Sequence, residues 1–384
     1  MMKLISGFFT TSVCLISLFT VYSINGFPLG TLLMLISSVL CLLYCIGWKK
    51  KITVYMPLLS VFTFIVVICF AQLIRNGNTN IDFISMCHYC FYCLVIAIFS
   101  YDFFDVSTGY KVMKYFSYFA ALFAYLQFII FLTCGYYLSG KIIPFLDANI
   151  ENHYQEIKDS YQLRVYSIFA EPSHFGVFIA IFLALDLIYI KKNKTKIREI
   201  CGDIFLTSAV FLSRTSTGIL LCCLLWLAWM VQNKKEIFQN KIMIICLILI
   251  LTVGSVLVFK SESMKIFLEH TSGNGMKGRI EGYGYIKKMG FLILGNGMGQ
   301  SEFMDKVYFT DYALIYYYFG IIGLLFFFVF YGYVFFKEKR RKACIVCLML
   351  LLNIFANYTF GIAPAIFFPW IIANEEQKVE KKYA

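Results

Sequence analysis

Apolar runs of membrane-spanning length recur along this chain, and they limit its architecture more than any other feature. A helix crosses the hydrocarbon core of a bilayer with about 20 apolar residues, because the bilayer offers its backbone no other hydrogen-bond partner. Reading for such runs predicts spans at 4–24, 28–47, 52–74, 83–100, 115–134, 168–190, 199–213, 217–231, 242–259, 312–336, 343–359 and 361–373. Composition agrees: of 384 residues 60% are hydrophobic and 15% charged, where an average soluble domain is roughly 45–50% apolar and about 25% charged. A soluble enzyme of this length would lack a polar shell, and a disordered chain would need low hydrophobicity. The expected fold is therefore all-α: one polytopic membrane domain over 1–384 with about 12 transmembrane helices and two long extracytoplasmic loops, 135–167 and 260–311.

Charge sets the expected orientation. The net charge of +12 does not form a nucleic-acid-binding patch, because the Lys and Arg fall in short clusters between apolar runs. With the N-terminus inside, 22 of the 34 Lys and Arg lie on the inner side, including the short basic loops at 48–51, 191–198 and 337–342. Both termini are then expected in the cytoplasm. The start, Met1-Met2-Lys3 ahead of a long apolar run, reads as an uncleaved first span. The inner loops leave no room for a nucleotide-binding domain, and both long polar loops face outward. Chemistry at that face needs an activated substrate already carried across the bilayer, most simply a lipid-linked one.

Several tempting motifs carry little. Cys87, His88, Cys90 and Cys93 cluster inside an apolar span, as do Cys344 and Cys347, without the second separated ligand pair of a zinc site. The cysteines are expected as packed free thiols. Gly273 to Gly278 fits GxGxxG, but no strand precedes it, so it predicts at most an anion-binding nest of backbone amides. No DxD occurs, and Asp102 and Asp105 read as a solvated loop. No metal and no cofactor is expected. Asp186 is expected to reach the inner interface, which leaves the spans nearly free of ionisable groups and weighs against a transporter.

Three segments concentrate polar chemistry at the outer side. In the stretch 164–176, Pro172 predicts a helix start and a span to Ile190, which puts Glu171 at the interface beside a helix N-terminus, Arg164 upstream and His174 one turn on. An interfacial cap and a snorkelling arginine are the bland alternatives. Leu212 to Gly218 is a tight turn between two short spans, so Arg214 is expected near headgroup depth, where it needs an anion; an exposed turn charge is the alternative. The loop 260–311 carries Arg279 among glycines, with residues 280–294 read as a short interfacial helix bearing Lys287 and Lys288.

The R-x-x-S-x-F-x-EPS-x-F-G stretch, the L-S-R-T-S-T-G turn and the G-R-x-E-G…G-N-G-x-G loop together resemble the Wzy-type repeat-unit polymerases of bacterial O-antigen and capsular polysaccharide. The resemblance implies a metal-independent membrane glycosyltransferase at the outer face of the bacterial cytoplasmic membrane. It would polymerise undecaprenyl-diphosphate-linked oligosaccharide repeat units, which serve as both donor and acceptor, amid membrane lipids and alongside a chain-length regulator and a flippase. Glu171 is then the expected base for the acceptor hydroxyl, with His174 as its substitute. Arg164, Arg214 and Arg279 are the expected diphosphate ligands, since guanidinium pairs bidentately with phosphate oxygens. An O-antigen ligase would use the same chemistry on a different acceptor, and a polysaccharide flippase is the rival from another class.

Overall fold

The computed structural model describes residues 1–76, 82–148, 164–190, 197–233, 274–298, 309–337, 340–355 and 362–373. In chain order these form α1 (Met2–Cys14), α2 (Ile16–Phe19), β1 (Tyr22–Ile24), β2 (Phe27–Pro28), α3 (Leu29–Gly47), α4 (Met56–Asn76), α5 (Phe83–Phe103), α6 (Val106–Cys134) and β3 (Asp147–Ala148). There follow α7 (Pro172–Ala184) with a π-helical extension Leu185–Ile190, α8 (Ile197–Leu212), α9 (Ser216–Gln232), α10 (Asn274–Met289), α11 (Asp311–Lys337), α12 (Arg340–Phe355) and α13 (Ala363–Ile372).

The chain is a helical, membrane-embedded protein. Among the described residues five helices are long and apolar enough to span: Leu29–Gly47, Met56–Arg75, Phe83–Phe103, Val106–Cys134 and Asp311–Lys337. Their outward sides are apolar too; only 28% of the most apolar stretch of α6 is buried, and Leu43, Val67 and Phe328 are exposed. Exposed apolar area on this scale requires lipid. Four shorter apolar helices, α7, α9, α12 and α13, coincide with further expected spans, and the expected span at 242–259 lies outside the described residues.

Several expectations need correction. The first span is not one helix to residue 24: α1 ends at Cys14, α2 adds one turn, and β1 turns back on β2 through Asn25 and Gly26, both at positive φ. With β3 pairing on the other edge of β1, the all-α fold carries a small three-stranded antiparallel sheet. The fifth span begins nine residues early, at Val106, because Asp105 caps it by accepting from the Ser107 amide and the Thr108 hydroxyl; Lys111 and Lys114 are thus helical. Asp102 is not simply solvated either, pairing with Lys50 at 2.9 Å. Asp186 lies in the π-helical turn and is 5% exposed, so it is enclosed by protein and does not snorkel.

The contacts group into two compact units. The first comprises Met1–Phe116, Lys141–Ile150 and Glu281–Ala384, and packs α1 on α3, α4 and α13 on α5, and α11 on α12 and α4. Phe64 stacks on Phe326 at 4.0 Å, and Trp370 meets Phe104 edge-on. Asp82 caps α5 through the Ile84 and Ser85 amides and the Ser85 hydroxyl, and these bonds, the hydroxyl's first, hold its carboxyl below the usual carboxylate range. The described cysteines are free thiols, most of them packed among helices.

A further correction is in α11, which is not a continuous span. Gly320 has φ 64° and ψ −156°, which breaks the helix a third of the way along. The segment 290–298, of which 290–294 was expected as the end of a helix, is not helical and docks into the break. Leu292 and Ile293 carbonyls accept from the Ile321 and Ile322 amides, and the Asn296 and Gly297 amides donate to Tyr317 and Tyr318. Gln72, 1% exposed on α4, donates from Nε2 to the carbonyls of Leu294 and Tyr318. Arg75 Nη2 reaches the Gly295 carbonyl at 3.5 Å. Broken backbone at membrane depth persists only where protein satisfies it, and these bonds do so.

A Cβ on Gly320 would run into the Leu292 and Ile293 carbonyls, on a backbone conformation that is essentially glycine-only and costs other residues about 1–3 kcal/mol. Gly320→Ala should therefore lower the thermal midpoint of the purified protein in detergent, while Gly332→Ala on the same helix, with open space at its Cβ, should not. Equal melting of the two variants would show that the break is dispensable.

Candidate functional site

The second unit comprises Ser117–Gly140 and Glu151–Ile280. It holds the residues singled out at 164–176 and 212–218, and its geometry begins with a buried amide. Gln127 sits in the apolar helix α6 and is fully buried. Its Oε1 accepts from the Ser167 amide at 2.8 Å, and its Nε2 donates to the carbonyls of Ser167 at 3.0 Å and Leu138 at 2.9 Å. The Ser167 hydroxyl donates to Ala120 O at 2.7 Å. Ser167 is thereby held at φ 56°, a left-handed conformation uncommon for a non-glycine residue, inside a turn closed by Phe169 N to Tyr166 O. Gly140 must be a glycine here, because a Cβ would strike the Ser167 carbonyl.

This clamp fixes the segment from Arg164 to Glu171. The fully buried Phe169 packs on Phe175 and Phe178 of α7 at 6.0 and 5.1 Å. Helix α7 starts where Pro172 predicts, with Glu171 extended at φ −139° ahead of it. The Glu171 side chain does not cap the helix; its Oε2 accepts from the Ser173 hydroxyl at 2.9 Å. Glu171, Arg164 and His174 are half-buried. Close by, burial pushes the Tyr137 phenol above its ordinary value, with the adjacent Tyr166 adding to the effect.

The turn bearing Arg214 is sunk into the protein, as its short flanking helices suggest. Ser213, Thr215 and Thr217 are buried, and Arg214 itself is half-buried at φ 52°. The Ser213 and Arg214 amides donate to Val210 and Phe211, and the Ser213 hydroxyl to Val210 O at 2.6 Å. Thr215 then starts α9 in an extended conformation.

The two segments meet at a glycine crossing. A Cβ on Gly218 would lie against the Gly176 Cα, a Cβ on Gly176 against the Gly218 Cα, and either against Thr215 Oγ1. Gly176 is the fifth residue of α7 and Gly218 the third of α9, so the first turns of the two helices are in contact. Two helix N-termini, each with unsatisfied amides and a partial positive charge, converge there. Glu171 and His174 lie at one of them and Arg214 at the other, with Arg164 on the loop leading in.

Of Arg279 only the backbone lies among the described residues. It belongs to the second turn of α10, which begins at Asn274, six residues before the helix expected at 280–294, and ends at Met289 with Lys287 and Lys288 in its last turn. Gly275 and Gly278 are therefore helical and form no flexible nest around Arg279, whose side chain lies outside the described residues. The glycines at 295 and 297 serve the broken helix of the first unit, both at positive φ. Sequence reading missed Gln127 and the Gly176–Gly218 pair. The available signals were a lone amide in an apolar run and a glycine near the start of each of two short spans.

Comparison with protein-family models and with curated protein sequences finds no match for this chain.

Gln127→Leu would strand a buried amide and carbonyls, at roughly 1–3 kcal/mol for each unsatisfied group. We expect a lower thermal midpoint and faster proteolysis between residues 135 and 175, with Gln127→Glu intermediate, since it keeps the acceptor for the Ser167 amide. Wild-type cleavage rates in Gln127→Leu would mean that the Ser167 turn stands without its clamp.

Proposed function

We propose that the chain is a membrane glycosyltransferase of the Wzy type, joining lipid-diphosphate-linked oligosaccharide repeat units into a surface polysaccharide. The observation that carries this reading is the glycine crossing, which sets a carboxylate and an arginine at two touching helix N-termini. Such a site suits a reaction that needs a base and an anion ligand side by side.

In this mechanism the Glu171 carboxylate removes the proton from an acceptor hydroxyl on the incoming lipid-linked unit. The resulting oxygen attacks the anomeric carbon of the growing chain, a new glycosidic bond forms, and the bond from that carbon to the diphosphate breaks. Undecaprenyl diphosphate departs with the electron pair. Arg214 and Arg164 bind its phosphates, and the helix amides add to the same field. Negative charge on the departing oxygen grows as the bond breaks, so these contacts strengthen in the transition state. His174, one turn from Glu171, is the substitute base, and Arg279 the third phosphate ligand.

The same reading sets the chain in a bacterial cytoplasmic membrane with twelve spans, both termini inside, and 135–167 and 260–311 outside. Cysteine substituted for Ser261 in a cysteine-depleted background should react with an impermeant maleimide applied to intact spheroplasts. Labelling only after lysis would reverse the orientation and remove the site from the outer face.

Glu171→Gln keeps size and removes basicity. General base catalysis contributes typically about 10²–10⁴-fold, so polymer formed by the purified enzyme from lipid-linked repeat units should fall by that order while the protein still inserts. Arg214→Ala should cost about 10²–10³-fold, and Arg214→Lys should recover part of it, since charge remains but the planar fork does not. Near-normal polymer from Glu171→Gln would leave Glu171 as a structural residue and sink the proposed mechanism.

A further inference from the structure

The first unit contains a cavity unrelated to the transferase residues, at the end of α11 opposite its break. Its volume is about 710 Å³, within the range of roughly 300–1,000 Å³ usual for small-molecule sites. Its walls come from α11, from the extended segment leading into α4, and from the end of α13. Along α11 the lining runs from Phe326 to Lys337, about 16 Å at the helical rise. Half the thickness of a bilayer core is about 15 Å. The cavity therefore has the length of one leaflet's acyl region.

The lining is apolar over most of that length and basic at one end. Val329, Tyr333 and Met56 line it and are 71%, 51% and 66% exposed, so it opens on the apolar outer side of the unit. At the basic end stand two lysines with different duties. Lys342 Nζ donates to the carbonyls of Ile371 at 2.7 Å and Ala373 at 3.0 Å, and thereby closes the end of α13. Lys337 is held over the rings of Tyr55 and Tyr333, 5.5 and 5.4 Å from their centroids. Among the described residues no carboxylate lies within ion-pair distance of Lys337, and the nearby Asp102 is taken by Lys50. The sequence continues Glu338-Lys339-Arg340-Arg341, a stretch of net charge +2.

We propose that this groove binds one anionic phospholipid of the surrounding bilayer, its acyl chain along Phe326 and Val329 and its phosphate on Lys337. An apolar channel of leaflet length, open to lipid and ended by a ring-held ammonium, complements that molecule in length and in charge. Zwitterionic lipids carry their own cation and gain less from Lys337. The inference rests on membrane embedding and not on the transferase reading.

The test is native mass spectrometry of the full chain purified in neutral detergent, titrated with phosphatidylglycerol or with phosphatidylcholine of the same acyl chains. Phosphatidylglycerol should be retained about fivefold more tightly, the factor expected for one lysine at an anionic headgroup. Lys337→Gln should bring it to the phosphatidylcholine level, and Lys337→Arg should not. Val329→Trp, at an exposed position where folding is undisturbed, should reduce retention of both lipids by filling the channel. Glycerol 3-phosphate at millimolar concentration should displace neither. Equal retention of the two lipids by the wild type would overturn the proposal, as would unchanged retention by Val329→Trp. Displacement by glycerol 3-phosphate would overturn it in favour of a free phosphate ligand.

Discussion

A backbone polar group away from water must find its partner within the chain, and each unit meets this constraint with one buried glutamine. In the first, Gln72 on α4 bridges the Leu294 and Tyr318 carbonyls where α11 is broken. In the second, Gln127 on α6 takes both the amide and the carbonyl of Ser167 and the carbonyl of Leu138. Both amides sit on helices that are otherwise apolar enough to span a bilayer. A primary amide suits this work because it offers donors and an acceptor at a fixed spacing without carrying charge. An ionisable side chain at the same depth would add the cost of burying its charge.

Irregular backbone held in this way frees conformations that a helix forbids. Ser167 and Arg214 both lie at positive φ, and each belongs to a segment rich in polar chemistry. Strain of this kind costs of order 1–3 kcal/mol and persists only where neighbours over-determine it. For Ser167 the neighbours are Gln127 and Ala120; for Arg214 they are the amide bonds back to Val210 and Phe211 and the glycine contact beneath. The outcome is a pair of helix ends held in place by the fold itself. Under the proposed reading that rigidity matters, because electrostatic stabilisation is most effective when the donors need not reorganise during the reaction.

Hydropathy made most helices legible, since the expected spans at 28–47, 52–74, 83–100, 199–213 and 217–231 coincide with α3, α4, α5, α8 and α9 to within a few residues. Pro172 marked the start of α7 for a local steric reason that tertiary structure did not override. Hydropathy failed where an apolar run is not one helix. The run at 4–24 breaks at Leu15 and gives way to β1, and the run at 312–336 contains Gly320, and neither break changes the mean apolarity of its window. Helix α10 was misjudged for the opposite reason: its glycines argue for loop, yet Asn274 to Met289 is helical. At the candidate site the ionisable residues were legible, because charge in an apolar chain stands out. The neutral devices that hold them, Gln127 and the Gly176–Gly218 contact, were not, because their roles depend on which residues meet across the fold.

That division follows from what each residue type does in a low-dielectric setting. A charge is costly there unless an opposite charge or hydrogen bonds answer it, and sequence inspection finds it readily. Holding the scaffold together needs closeness and hydrogen bonds, which glycine and glutamine supply without net charge. The same separation holds at the far end of α11, where Lys342 satisfies helix carbonyls and Lys337 stands over two aromatic rings with no carboxylate in reach among the described residues. Two lysines five residues apart in one basic run thus differ in kind: one closes a helix end, and the other faces the opening of a cavity. Composition and spacing cannot separate them, since both count equally toward the charge of the loop. Only the partners they meet in the folded chain assign the first to structure and leave the second for a ligand.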